Sequence, residues 1–203
     1  KRLHFDVIPK AVDEYQQWVE KFPGQSPADA LENPAFHIHA GVVPQRRTQL
    51  SFNILLNLAS VVNAEHKDVL WGFISRYAPT ATPTSEPFLD GLAGYAVAYY
   101  HDFIRPHKQQ RPPTERELAA LQDLYRKLEG FAEGADAEAI QTEIYSIGKA
   151  HAYENLREWF QALYEVLLGA SQGPRFGSFA AIYGLSQTIE LLEKGAAGGL
   201  VEG

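Results

Sequence analysis

The chain contains neither cysteine nor methionine. The absence of cysteine excludes disulfide bonds, thiolate nucleophiles and cysteine-ligated zinc. Long apolar runs are also missing: none approaches the ~18 residues that a membrane-spanning helix needs, and no signal peptide is visible. We therefore expect a cytoplasmic protein.

Positive charge is in short supply, with 18 Lys and Arg against 25 Asp and Glu and a net charge of -7. This balance argues against a surface coated with basic residues. It does not exclude nucleic acid, because a local positive patch is enough to contact a few phosphates. Glycine-rich phosphate loops of the G-x-G-x-x-G and G-K-[ST] kinds are absent as well. At 203 residues and 45% hydrophobic, the chain can bury one substantial core or two small ones.

A helical pattern runs along nearly the whole chain. Residues 50–62 are apolar on almost every side, which predicts a central, fully packed helix. Ser26, followed by proline, predicts a helix start. Thr114 and Glu117 have the spacing of a capping box, and Asp136 is a further predicted start.

A polar break at residues 105–113 divides this pattern, and strand-like alternation is confined to residues 36–39. We therefore predict an all-α fold, a helical bundle of about seven to nine helices in two subdomains. The predicted subdomains are residues 1–110 and 111–203.

Two expectations concern glycine. Gly91 and Gly94 lie within a predicted helix, where each costs roughly 1 kcal/mol against alanine, so we expect them to admit a closely packed neighbour. The glycine-rich tail, residues 195–203, is expected to be disordered.

The strongest enzyme-like signal is the pair His101-Asp102. All-α metal phosphohydrolases of the HD type use such a pair, with a metal ion that activates water. Residues that could complete a metal site are His37, His39, His66, Asp68 and Asp136. The simpler interpretation is stronger, because a histidine near a helix C-terminus suits the helix dipole and two histidines do not make a tetrahedral site.

Three segments carry a family resemblance. They are LHFDVIPKAVDEY at residues 3–15, LSFNILLNLASVVNAEHKDVLWGFISRYAP at residues 50–79 and GPRFGSFAAIYG at residues 173–184. With these segments, the chain resembles the C-terminal part of class I lysyl-tRNA synthetases along nearly all of its length. The resemblance implies an α-helical anticodon-binding region, an α-helix cage similar to that of the glutamyl enzymes.

Class I synthetases activate their amino acid with HIGH-type and KMSKS-type signatures, and neither occurs here. The nearest string, HIHAG at residues 37–41, lacks the glycine before the second histidine. We therefore expect a fragment that does not begin at a natural start and that lacks the catalytic domain. The resemblance implies that ATP and magnesium belong to that domain, and we expect no cofactor in the fragment.

The implied function is recognition of the anticodon arm of lysine tRNA by the non-catalytic part of a lysine–tRNA ligase. The anticodon is U-rich, and recognition would use its bases and the phosphates around it. Expected partners are lysine tRNA and the enzyme's own catalytic domain, with no membrane and no DNA. The alternative is an all-α protein-interaction scaffold, which a large exposed apolar patch near residues 1–48 would favour.

Candidate RNA contacts come from residue chemistry alone, because none is carried over from the family. Unpaired bases are held by stacking on aromatic rings and by hydrogen bonds to their edges, with cations on the flanking phosphates. The first place that offers these groups is the helix carrying Trp71 and Arg76. Trp71 is more typical of a core, whereas Arg76 ends a helix and is the better candidate.

The second place is a basic loop that contains Arg105, His107, Lys108 and Arg111 with no acid among them. The alternative is a solvated linker, because charge runs are usually just solvated.

The third place is residues 173–179, where glycines flank Arg175 and Phe176. The glycines would let the backbone come close to a partner and leave the two side chains displayed on a turn. The alternative is that Arg175 braces the subdomain through a buried carboxylate pair and that Phe176 packs inward. Lys149, His151 and Arg157 would extend the same positive surface.

Overall fold

The computed structural model describes residues 4–45 and 47–200, and within them every regular element is helical. Six α-helices precede the polar break: α1 Ile8–Lys21, α2 Pro27–Glu32, α3 Pro34–Ile38, α4 Phe52–Val61, α5 Lys67–Tyr77 and α6 Pro87–Tyr99. Five follow it: α7 Glu115–Leu128, α8 Ala137–Ala150, α9 Leu156–Leu168, α10 Phe176–Tyr183 and α11 Leu185–Ala196. Nine of these helices have seven or more residues, so the predicted all-α fold is confirmed. None of the described helices combines the length and the apolarity that a membrane crossing requires.

Local capping signals place several helix starts correctly. The Ser26 hydroxyl accepts the Asp29 N–H at the start of α2, and Thr114 and Glu117 form the predicted capping box of α7. The Asp136 carboxylate likewise caps α8. The strand-like interpretation of residues 36–39 is wrong, because Asn33 caps a short helix there, α3.

Two clusters of buried side chains form the interior. The first joins α4, α5 and α6, and the second joins α7, α8, α9, α10 and α11. Helix α10 packs against α8 and also against α4 and α5, so that Ile182 lies in the first cluster while Phe176 and Phe179 lie in the second. The two-subdomain division stays a prediction, since α10 contacts both clusters.

The polar break is a strap held against the helices on either side. After α6, a π-helical turn, Tyr100–Ile104, leads into the strap, whose first three residues form a 3-10 turn, Arg105–His107. Its Gln109 N–H donates to the Gly169 carbonyl oxygen at 3.4 Å, and the Gln110 side chain donates to the Leu167 carbonyl oxygen at 2.9 Å. Residues 105–113 are therefore tied to the end of α9.

Both glycine expectations need correction. Among the described residues, and apart from the neighbouring backbone of α6 itself, no atom lies within 4 Å of a Cβ built on Gly91, and on Gly94 only the Lys67 side chain does, at 3.9 Å. No neighbour therefore packs closely there. Disorder from residue 195 is also wrong within the described residues, because α11 continues to Ala196 and Leu200 packs against the second cluster. Residues 201–203 lie outside the described residues.

Candidate nucleic-acid interface

Trp71 lies in the first core. Only 6% of the residue is exposed, and its indole N–H donates to the Asp90 carboxylate at 3.0 Å. Lys67 donates to the same carboxylate at 2.6 Å, and this bond is the main reason why the pKa of Asp90 is lowered. In this conformation the indole offers no free face to a base, which supports the alternative interpretation of Trp71 as a core residue.

Arg76, one turn further along α5, is exposed. Its Nε donates to the Gly72 carbonyl oxygen at 3.2 Å, and its guanidinium carbon lies 4.7 Å from the centre of the Phe73 ring. It forms no ion pair with a described residue. The neighbouring Tyr77 is 48% exposed. Arg76 therefore presents a planar cation to solvent.

The predicted basic loop is part of the strap, and its cations contact the protein itself. Arg105 lies 3.5 Å from the Glu65 carboxylate, and the Lys108 ammonium donates to the Ser60 carbonyl oxygen at 2.7 Å. These contacts agree neither with a solvated linker nor with a freely displayed basic loop.

Arg111 is the most strongly held of these cations. It makes two bonds to Glu117, at 2.7 and 2.9 Å, and one to Glu165 at 2.7 Å. The bonds to Glu117 are the main cause of the raised pKa of Arg111, and the bond to Arg111 is the main cause of the lowered pKa of Glu117. Arg111 thus braces the start of α7 against α9.

The glycines around Arg175 and Phe176 do allow a close approach, but the approach is internal. A Cβ on Gly177 would lie 2.2 Å from the Ala137 carbonyl oxygen of α8, and one on Gly173 would lie 2.5 Å from the Tyr164 ring. The expected display of Phe176 is wrong, because the residue is 0% exposed. Its side chain is a core element that sets the position of α10.

Arg175 is bound in a bidentate pair with Glu138, in which Nη2 and Oε2 are 2.5 Å apart. The alternative interpretation anticipated a carboxylate pairing but placed it in the interior, which is wrong, because both side chains are about half exposed or more. The pair raises the pKa of Arg175 and lowers the pKa of Glu138.

A second exposed cationic region lies where α8 ends. His151 is 2.8 Å from the Asp123 carboxylate, and Lys149 is exposed with no ion pair to a described residue. Arg116 donates to the His151 carbonyl oxygen at 2.8 Å, and its guanidinium carbon lies 3.7 Å from the centre of the Tyr153 ring. Sequence reasoning missed Arg116, since no local signal links it to a ring 37 residues further along the chain.

The structure does not unite the predicted cations in one patch. Arg175 is bound at the first turn of α8, through Glu138, while Lys149 stands in the last turn. Because Lys149 follows Glu138 by eleven residues, which is about 16 Å of helix, Arg175 and Lys149 lie at opposite ends of α8. Arg76 lies elsewhere again, beside the junction of α10 and α11.

The metal-enzyme alternative finds no support. A ring nitrogen of His101 lies 3.1 Å from the Ala64 carbonyl oxygen, and the exposed Glu65 and Arg105 are its charged neighbours. Across residues 4–45 and 47–200 no group of three His, Asp or Glu is placed to hold a metal ion.

Along nearly its whole length the chain is homologous to aminoacyl-tRNA synthetases. These relatives are lysine–tRNA ligases, which confirms the resemblance seen in the sequence. The chain is 49% identical over 201 residues to the lysine–tRNA ligase of Roseobacter denitrificans, covering 99% of this chain and 38% of that protein. It is 48% identical over 196 residues to the lysine–tRNA ligase of Rickettsia bellii, a match that covers 96% of this chain and 38% of that protein. It is also 48% identical over 195 residues to the lysine–tRNA ligase of Rickettsia conorii, covering 95% of this chain and 37% of that protein. The chain therefore spans somewhat over a third of the length of these curated relatives. No family model matches it.

Proposed function

We propose that this chain is the anticodon-binding C-terminal region of a class I lysine–tRNA ligase. It would dock the anticodon arm of lysine tRNA so that the acceptor end reaches the catalytic domain. The observation that carries the proposal is the 49% identity to a lysine–tRNA ligase over 201 residues, confined to 38% of that protein's length. The all-α fold and the lack of a glycine-rich phosphate loop support a non-catalytic role.

Contacts with phosphates need cations that are not already neutralised. None of Arg76, Arg116 and Lys149 forms an ion pair with a described residue. Arg76 does have a carboxylate nearby, Glu133, whose pKa is lowered mainly by a hydrogen bond from Ser186 and in part by the charge of Arg76. Arg111 and Arg175 are paired with carboxylates inside the protein. We therefore assign the first three to the RNA and the other two to support of the helices.

The activating chemistry would belong to the rest of the ligase, which would bind ATP, magnesium and lysine. The isolated chain should therefore show no lysine-dependent ATP–pyrophosphate exchange. Exchange above background in a clean preparation would overturn the assignment to a non-catalytic region.

The test of function is binding to lysine tRNA as a function of salt, beside the same tRNA with its anticodon replaced. The logarithm of affinity falls with the logarithm of salt by about 0.7 per phosphate neutralised on single strands, so three cations predict a slope of about -2. Preference for the native anticodon together with this slope would support an anticodon reader. Equal binding to both tRNAs would leave a generic RNA-docking role.

A second candidate function is docking of a protein partner. Five of the eleven large hydrophobic residues exposed in the described part of the chain fall between residues 5 and 42: Phe5, Val7, Leu31, Ile38 and Val42. Val42 is 82% exposed. Exposed apolar side chains mark an interaction surface where they form a contiguous patch, and the partner we propose for this segment is the ligase's own catalytic domain. Co-sedimentation with the remaining portion of the Roseobacter denitrificans ligase, abolished by Val42→Asp and Ile38→Asp, would support this role.

A further inference from the structure

Four aromatic rings form a continuous column from the interior to the surface near Arg76. Phe73 of α5 stacks on Tyr183 of α10, with centroids 5.7 Å apart and planes 26° apart. Tyr183 stacks on Phe179 at 5.3 Å and 20°, and Phe179 contacts Phe176 at 5.7 Å. Phe176 and Phe179 are fully buried, so the column is fixed by the core.

The guanidinium of Arg76 covers the outer end of this column. It lies over the Phe73 ring, and its Nε bond to Gly72 restrains its orientation. A guanidinium can stack on an aromatic ring with one face and on a nucleobase with the other. Arg76 is exposed, and although its charge helps a hydrogen bond from Ser186 to lower the pKa of the nearby Glu133, it forms no ion pair with a described residue, so its outer face is open to a base.

A pocket of about 330 Å³ adjoins this face and is lined by Arg76, Tyr77, Glu133, Ser186 and Gln187, among others. The Glu133 carboxylate accepts the Ser186 N–H at the start of α11, so the N-terminus of α11 is already occupied by a carboxylate of the protein itself. Gln187, in contrast, makes no side-chain hydrogen bond to a described residue. Its amide has both a donor and an acceptor, the groups needed to bind the edge of a base.

We propose that Arg76, supported by the Phe73 column, is the stacking platform for one unpaired base of the bound RNA, whose edge faces Gln187. The inference rests on the proposed function and adds to it a defined base site. The charge of Arg76 would still neutralise a nearby phosphate, a role that lysine could also fill, but lysine cannot provide the planar face that stacks on a base.

The experiment is a double-mutant cycle between the protein and the RNA. An anticodon stem-loop of lysine tRNA is prepared intact and with the base removed at each loop position in turn, and binding is measured to wild type and to Arg76→Lys. We expect one position at which base removal weakens wild-type binding about fivefold or more. The same removal should leave Arg76→Lys binding unchanged, because that variant has already lost the stack. Gln187→Leu should reduce discrimination between bases at that position.

The matched control is Arg126→Lys on α7, where the ion pair to Asp123 can be kept by lysine. It should show the wild-type pattern at every position, and an Arg126→Lys pattern equal to that of Arg76→Lys would overturn the inference. If wild type prefers the native anticodon but no position couples to Arg76, the platform is refuted and the proposed function stands. If wild type binds no stem-loop at low salt, both are overturned.

Discussion

The substitution Gly177→Ala should destabilise the protein by forcing α10 away from α8. Gly177 is the second residue of α10, and a Cβ there would lie 2.2 Å from the Ala137 carbonyl oxygen and 2.9 Å from the Gln141 Cβ. The first obstacle is backbone, so a rotamer change cannot relieve it. Displacement would also weaken the bond of 2.8 Å from the buried Gly177 N–H to Gln141 Oε1.

The change in the free energy of unfolding is the sum of two destabilising effects and one stabilising effect. Overpacking costs about 1–3 kcal/mol, and weakening a buried hydrogen bond adds about 1 kcal/mol. In the opposite direction, replacing glycine with alanine stabilises a helix by at most about 1 kcal/mol. We therefore expect a net loss of about 1–3 kcal/mol, which for a domain of this size lowers Tm by about 3–10 °C.

Urea and thermal unfolding followed by circular dichroism measure this effect, with Gly91→Ala as the control. Gly91 is exposed within α6 and has open space around its Cβ position. Its replacement should raise the free energy of unfolding by about 0.5–1 kcal/mol. If Gly177→Ala is as stable as wild type, the close packing of α10 on α8 is refuted.

Three further predictions concern ionisable side chains. Arg111→Ala should lower the free energy of unfolding by about 1–2 kcal/mol at pH 7, because it leaves the Glu117 and Glu165 carboxylates without their cation; urea titration measures it. Because the pKa of Glu117 is lowered in the folded state, the contribution of the pair is present above the ordinary value of 4.5 and is lost as pH falls through the lowered value. Equal stability of wild type and Arg111→Ala at neutral pH, or a difference that grows in acid, would contradict this. Burial raises the pKa of Tyr164 to about 12 from 10.0, so stability should fall as pH rises between these values, and less steeply in Tyr164→Phe, as alkaline denaturation would show.

The helices were predictable because their signals are local. A serine or threonine cap and its N–H partner lie three residues apart, as at Ser26 and Thr114, and apolar periodicity is read over a few turns. The same locality explains the error at residues 36–39, where the cap at Asn33 was overlooked. The resemblance to lysine–tRNA ligases was likewise contained in the order of residues, since the identity extends over 99% of the chain.

What the sequence could not decide was which cations remain available to RNA. Arg76 and Arg175 each stand near a phenylalanine in the sequence, yet one ends in solvent over an aromatic column and the other pairs with Glu138, 37 residues away. The close approach that Gly177 was expected to allow to a partner is made instead by α8 of the same chain. The sequence by itself determined most of the helices, several of their starts and the similarity to lysine–tRNA ligases. Only the tertiary structure decided which charges are paired and which glycines are enclosed, because those contacts join residues far apart in the chain, where no local pattern records them.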